Sequence, residues 1–324
     1  MSIPLPRPVK DVLFRSYHKV RNSWPIWYYL LNREPRSVLA AQNPDMSDMV
    51  VASIIKDLRR DGIAVTSLKE LFPSISLDEL KRFLDVSLAH PRIREEITKH
   101  QQMIDERVDG GDERKGGGKY LKDFIVEPWG STGNNTLSDF ENPFIRMSLD
   151  ERVLGIVARY MGMAPKFRGY SVRMTLPVPA GSREYFSQRW HRDPEDMRML
   201  KMFIYVTDVA NVSEGPFMYV KGSQLMGQFD HLFPQRPPAA TYPDKAEVEK
   251  AVPAQAIKIC TAPAGAIIFA DTAGLHKGGY TTTKARLMYT GTYFSKASLA
   301  RTRLDCSQDA GKKLSSLARY ALDL

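Results

Sequence analysis

The chain has 324 residues, of which 43% are hydrophobic, 26% charged and 10% aromatic, ordinary globular composition with room for one large domain or two small ones. No apolar run reaches the roughly 20 residues that span a bilayer, the first residues show no secretory-signal pattern, and Cys260 and Cys306 are too few for a disulfide framework or a cysteine-rich zinc module, so a reducing cytoplasm is the expected compartment. The net charge of +9 sits mostly at the two ends: residues 1–36 hold seven basic side chains against two acidic, and residues 296–324 hold six against three. Basic arms fit either an anionic partner or surface, or solvated tails, and with no aromatic-basic strand platform nucleic acid is not an expected partner.

In chain order, Ser23-Trp-Pro-Ile-Trp-Tyr-Tyr-Leu-Leu31 is an aromatic-aliphatic run between basic residues. It fits a peripheral membrane contact, a cover on the core or a subunit contact, and Pro25 argues against one unbroken helix. From Ser47 the spacing of Met49, Val50, Ser53, Ile54, Asp57 and Leu58 predicts a helix that stops at Gly62, followed by a short strand Ile63–Val65. Ser76 with Glu79 is a capping-box pattern, opening a helix whose apolar face (Leu77, Leu80, Phe83, Leu84, Leu88) runs to Pro91. Residues 105–119, glycine-rich and densely charged, read as a mobile loop or lid.

After about residue 165 the texture changes to short strand-like runs at Phe167–Leu176, Leu200–Val209, Phe217–Val220, Ala266–Ala270 and Arg286–Phe294, with a long excursion over 228–255. Short strands without βαβ alternation predict a sandwich or barrel.

The chemistry-bearing candidates are few. His191 and Asp193, in Trp190-His191-Arg192-Asp193, project to the same side of an extended strand and suit neighbouring positions on a metal. Of the six histidines, His18, His90, His100 and His231 lie in contexts that predict exposure. His276 follows an apolar strand and precedes Lys277-Gly278-Gly279, where a strand leaves the core. Arg286 opens the next strand, either as a surface ion pair or as a bidentate partner for a carboxylate.

The ordered set His191-x-Asp193, Glu214-Gly-Pro-Phe-Met-Tyr-Val-Lys-Gly-Ser-Gln224, Gly265-x4-Ala270-Asp-x4-His276 and Arg286, preceded by Asp61-Gly-Ile-Ala-Val65, resembles the phytanoyl-CoA dioxygenase family of iron(II)/2-oxoglutarate oxygenases over roughly residues 50–295. Lys221 and Gln224 stand where that family's hairpin has proline and histidine. The resemblance implies a mainly β fold with flanking α-helices, a double-stranded β-helix (jelly roll, cupin-like). It implies a basic aromatic extension over 1–46, the oxygenase domain over 47–295 and a basic helix or tail over 296–324.

His191, Asp193 and His276 would be the facial triad on Fe(II), with 2-oxoglutarate and O2 as co-substrates and Arg286 on the distal carboxylate. Where some relatives carry a hydroxyl two residues after the distal histidine this chain has Gly278, so Tyr205, Thr207 or Thr281–Thr283 would have to contribute. Arg173 and Lys201 are candidates for contacting substrate. A carboxylate at 193 disfavours halogenation and favours hydroxylation of an unactivated C–H bond of a small molecule, such as a natural-product, sugar or lipid-linked intermediate, anionic in one reading of the basic termini. The other readings are an isomerase or lyase using the same triad and a non-catalytic binding module.

Overall fold

The computed structural model describes residues 7–42, 47–105, 125–130, 136–137, 139–300, 302–306 and 314–324. The loop expected over 105–119 lies outside these from residue 106 onward. Eleven strands are described: β1 (Ile63–Ser67), β2 (Ile125–Gly130), β3 (Thr136–Leu137), β4 (Lys166–Thr175), β5 (Leu200–Tyr205), β6 (Phe217–Val220), β7 (Ile257–Ile259), β8 (Ala266–Ala270), β9 (His276–Gly278), β10 (Arg286–Phe294) and β11 (Asp305–Cys306). A six-stranded antiparallel sheet runs β1-β8-β5-β10-β4-β2, and a three-stranded one runs β7-β6-β9.

Period-two alternation explains how the sheets stack. Phe203, Tyr205, Ile268, Ala270 and Met288 of the larger sheet meet Phe217, Tyr219 and Cys260 of the smaller one. Their alternates Met202, Ile204, Ile267, Phe269 and Tyr289 pack outward against helices, so Ala266–Ala270 is buried on both faces. This is a double-stranded β-helix with α-helices over the outer face of the larger sheet.

The covering helices begin and end where the sequence predicts. Helix Met49–Asp61 starts on the Asp48 carboxylate, which accepts from the Val50 and Val51 amides, and buries Val51, Ile54, Ile55 and Leu58. It ends at Gly62, whose φ of +76° and proximity to the Tyr219 hydroxyl leave no room for a Cβ. Helix Leu77–Ala89 is capped by Ser76, whose hydroxyl accepts from the Glu79 amide at 3.1 Å.

The two basic ends pack onto this body where they are described. After helix Arg7–Arg21 the chain breaks at Asn22–Ser23, and helical backbone resumes at Trp24 and Pro25, the proline at the start where its missing N–H costs least, leading into a π-helical turn Ile26–Leu31. Trp27 is fully buried there, and its Nε1 donates to Asp196 Oδ1 at 2.6 Å. Part of the aromatic run therefore covers the core. Helix Ser316–Ala321 buries Leu317, Ala318 and Ala321. Two of the histidines expected to be exposed, His18 and His100, are buried, because the composition around a residue does not report the packing against it.

Asp196 also accepts from the Ser295 and Met197 amides, at 2.7 and 2.9 Å, and burial nevertheless pushes its carboxyl up to about 6. Trp27→Phe keeps the packing but removes one donor, and a denaturant titration is expected to show a loss of about 1–3 kcal/mol. A donor to the carboxylate matters most when the acid is ionised, so the loss is expected to be larger at about pH 8 than at about pH 5.

Candidate metal centre

His191 and His276 are joined by an isolated antiparallel bridge: each backbone amide donates to the other's carbonyl, at 2.9 and 3.0 Å. The imidazole centroids are consequently 4.1 Å apart. Two residues on, the Asp193 amide donates to the Thr272 carbonyl at 3.0 Å, which turns the carboxylate toward both rings. Asp193 Oδ1 lies 3.6 Å from His191 Nε2, and Oδ2 lies 3.8 Å from His276 Nε2. All three residues are buried, with one ligand atom from each within 4.8 Å of the others.

The tautomers follow from the backbone. His191 Nδ1 is 2.9 Å from the Arg189 carbonyl and His276 Nδ1 is 3.0 Å from the Gly274 carbonyl. A carbonyl only accepts, so both Nδ1 atoms carry the proton and both Nε2 lone pairs face the carboxylate. Burial, more than any neighbouring charge, lowers both imidazole pKa values, that of His276 to about 3, so both rings are neutral at physiological pH. Burial would raise the Asp193 carboxyl; the Lys201 ammonium, His276 and His191 outweigh it and hold the group well below the usual carboxylate range. Lys201 Nζ donates to Asp193 Oδ2 at 2.6 Å. Two neutral nitrogen donors and one ionised carboxylate in a buried cluster fit a first-row divalent ion.

The cluster opens on a cavity of about 570 Å³ between the sheets. Phe203, Phe217 and Met288 supply apolar wall, while Glu96, Glu127, Arg173, Glu195, Lys201 and Arg286 supply charge. Arg286 is only 5% exposed, and its Nε and Nη1 have no hydrogen-bond partner among the described residues. Nη2 donates to Thr175 Oγ1 at 3.2 Å, directly across the β10–β4 pairing. Leaving a guanidinium buried and half-satisfied is costly, and an anionic ligand in the cavity would offset that cost.

Of the other sequence candidates, Lys201 and Arg173 line the cavity. Arg173 lies beside Glu127, 3.7 Å from Nε to Oε2, with its side chain 47% exposed. Tyr205 and Thr207 take other work. The Tyr205 hydroxyl accepts from the Phe217 amide and donates to the Cys260 carbonyl, tying the two sheets together, and Thr207 Oγ1 accepts from the Leu287 amide. Thr281 Oγ1 donates to the Lys284 carbonyl at 2.6 Å and lies 3.3 Å from that of Ser213, while the Thr282 and Thr283 hydroxyls lie against the Ser213 carbonyl. The hydroxyl beside the guanidinium belongs instead to Thr175, while an added Cβ at Gly278 would come 4.0 Å from Arg286 Nη2.

Sequence reading also missed the groups that hold the ligand strand from outside. Arg192, between the two ligands, donates to the carbonyls of Ser223, Ala273, Phe229, Asp230 and Leu232. Gln235 donates to the Asp193 carbonyl, and Tyr242 stacks on His191 with centroids 5.5 Å apart. Their partners are backbone carbonyls or ring faces 31 to 81 residues away, which no local motif reports.

No protein-family model matches the chain, and no curated protein matches it. Among solved structures it is similar to the epimerase SnoN in complex with Fe3+, alpha ketoglutarate and nogalamycin RO, at 15% identity over 76% of this chain and 84% of that one, TM-score 0.47. It is also similar to EctD from S. alaskensis with bound Fe, at 16% identity over 81% and 82%, TM-score 0.44. A third is SnoK, the non-heme alpha ketoglutarate dependent carbocyclase from nogalamycin biosynthesis, at 20% identity over 77% and 86%, TM-score 0.44. These likenesses concern fold alone, and the chemistry rests on this chain's residues.

A divalent ion that binds only the folded chain stabilises it by mass action, about 2.7 kcal/mol at a hundred times its Kd. Added Mn(II), a redox-quiet probe, is expected to raise the melting temperature of the wild type and to leave those of His276→Ala and Asp193→Asn unmoved, read by scanning calorimetry.

Proposed function

We propose that the chain is an iron(II)/2-oxoglutarate-dependent oxygenase of the phytanoyl-CoA dioxygenase type, acting on an unactivated C–H bond of a small molecule, most simply as a hydroxylase. The observation that carries this reading is the pairing, in one cavity, of a buried two-histidine, one-carboxylate cluster with a buried guanidinium whose Nε and Nη1 await an acceptor. The cluster suits Fe(II) with positions left open for ligands. The guanidinium suits the distal carboxylate of a dicarboxylic keto-acid.

Iron(II), when bound, supplies the activation of O2 that lets 2-oxoglutarate and a substrate R–H become succinate, CO2 and R–OH. His191 and His276 Nε2 and the Asp193 carboxylate would hold the ion. Lys201 neutralises one Asp193 oxygen and fixes the orientation of the carboxylate. Arg286, aligned by Thr175, would set which end of 2-oxoglutarate points at the metal, and Phe203, Phe217 and Met288 exclude water from the reacting centre. The same opening step serves desaturation, epimerisation and ring closure, so the outcome depends on how the substrate is held.

The cavity's own charges bear on that substrate. Lys201 is engaged by Asp193 and Arg173 lies beside Glu127, whereas the buried Glu195 Oε2 accepts no hydrogen bond among the described residues. These groups favour a substrate that brings a hydroxyl or amine donor to Glu195, rather than the anionic substrate that the basic termini had pointed to.

Purified protein is expected to form succinate from 2-oxoglutarate only when Fe(II) is present, and His191→Ala and Asp193→Ala are expected to fall to background. Succinate formation that persists in both variants refutes the assignment. Independently of turnover, titration of 2-oxoglutarate into Mn(II)-loaded protein is expected to weaken about 10- to 100-fold in Arg286→Lys, which keeps the charge but loses the planar fork, consistent with about 1.5–3 kcal/mol for a charge-assisted bond.

A further inference from the structure

Helix Arg7–Arg21 leaves its described apolar side chains in solvent. At about 100° per residue, Val12, Leu13, Tyr17 and Val20 fall within about 140° of arc, and that arc faces solvent, with Tyr17 62% and Leu13 54% exposed. On the opposite side His18 is buried. In the following turn Tyr29 and Leu30 are also exposed, Leu30 at 69%. Scattered apolar residues on a surface need no explanation, but a set gathered on one arc of an amphipathic helix does.

The charge carried by this stretch of sequence selects the occupant. The helix sequence carries Arg7, Lys10, Arg15, Lys19 and Arg21 against Asp11 alone, and residues 22–36 add Arg33 and Arg36 against Glu34. Glu34 is already engaged by Lys296 and Tyr320. A second copy of the chain meeting this face across a two-fold axis would set like charges against each other. An anionic lipid surface offers both what the apolar arc and the cations lack: an acyl boundary for Leu13, Tyr17 and Leu30, and negative headgroups for the basic residues. No helix among the described residues is long and apolar enough to cross a membrane.

We infer that helix Arg7–Arg21 and the turn Ile26–Leu31 form a peripheral docking face for an anionic lipid bilayer, lying in the interface plane with Leu13, Tyr17, Val20 and Leu30 inserted. The face is secured to the body at its far end, where Trp27 donates to Asp196 and Arg21 donates to the Ala297 carbonyl. This inference stands apart from the metal-centre chemistry, because none of its residues lines the cavity.

The test uses the full chain and unilamellar vesicles of phosphatidylcholine with or without phosphatidylglycerol. Wild type is expected to co-sediment with the phosphatidylglycerol vesicles and to be released as salt is raised. The double variant L13E/L30E is expected to lose about tenfold in partitioning, with unchanged melting temperature and Mn(II) binding. Lys19→Glu is expected to weaken binding at low salt only. Wild-type binding to neither vesicle, or partitioning equal to that of L13E/L30E, overturns the inference. A concentration-dependent dimer in light scattering that the same double variant abolishes also overturns it, by giving the face to a second copy.

Discussion

The mutual backbone hydrogen bonds between His191 and His276 are the constraint on which the site depends. They join positions about 85 residues apart in the chain and fix two imidazoles at a separation that side-chain preference alone would not produce. Everything that makes the rings useful follows from that pairing. The strand geometry aims Asp193 at the same point as His191, and the carbonyls of Arg189 and Gly274 choose the tautomers. The paired sheets then keep water away. A long-range bridge of this kind has a large closure entropy, offset by the apolar layer that the two sheets bury between them.

Two buried carboxylates hold the outer layers in register with that bridge. Asp196 receives Trp27 from the turn Ile26–Leu31 and the Ser295 amide from just past β10. Asp271 receives the Tyr160 hydroxyl from helix Glu151–Met161 and lies one residue before Thr272, whose carbonyl takes the Asp193 amide. Burial raises both acids to about 6, the mark of groups kept for their hydrogen bonds rather than for their charge. The helices are thus tied to the loops that carry the candidate metal ligands.

Much of this was legible from local pattern. The strands Phe217–Val220, Ala266–Ala270 and Arg286–Phe294 have the ends that alternation and turn residues predict, and Gly62 ends its helix for the reason its position implies. The strand read as Leu200–Val209 is shorter, ending at Tyr205, because the chain beyond it leaves the sheet and Val209 bridges to Ala262. The triad's residue types and order were visible, and so was Arg286. Thr175, Gln235, Tyr242 and the Trp27–Asp196 bond were not, since each exists only through a partner far along the chain. Tyr205 and Thr207 share a strand face or its extension with Lys201, yet their hydroxyls are drawn to backbone groups nearer than the cavity.

Arg192 sits between two ligands yet projects away from them, and its guanidinium gathers five carbonyls from three separate stretches of chain. Anyone grafting a different excursion onto this scaffold inherits a rule from that arrangement. Residues from about 222 to 232 have to keep their backbone path, because the cation they solvate is cemented into the ligand strand. Beyond that hub the constraint continues: helix Lys245–Ala251 buries Val248 in the cluster that holds Trp190, and Gln235, Thr241 and Tyr242 keep their places against Asp193, Arg192 and His191.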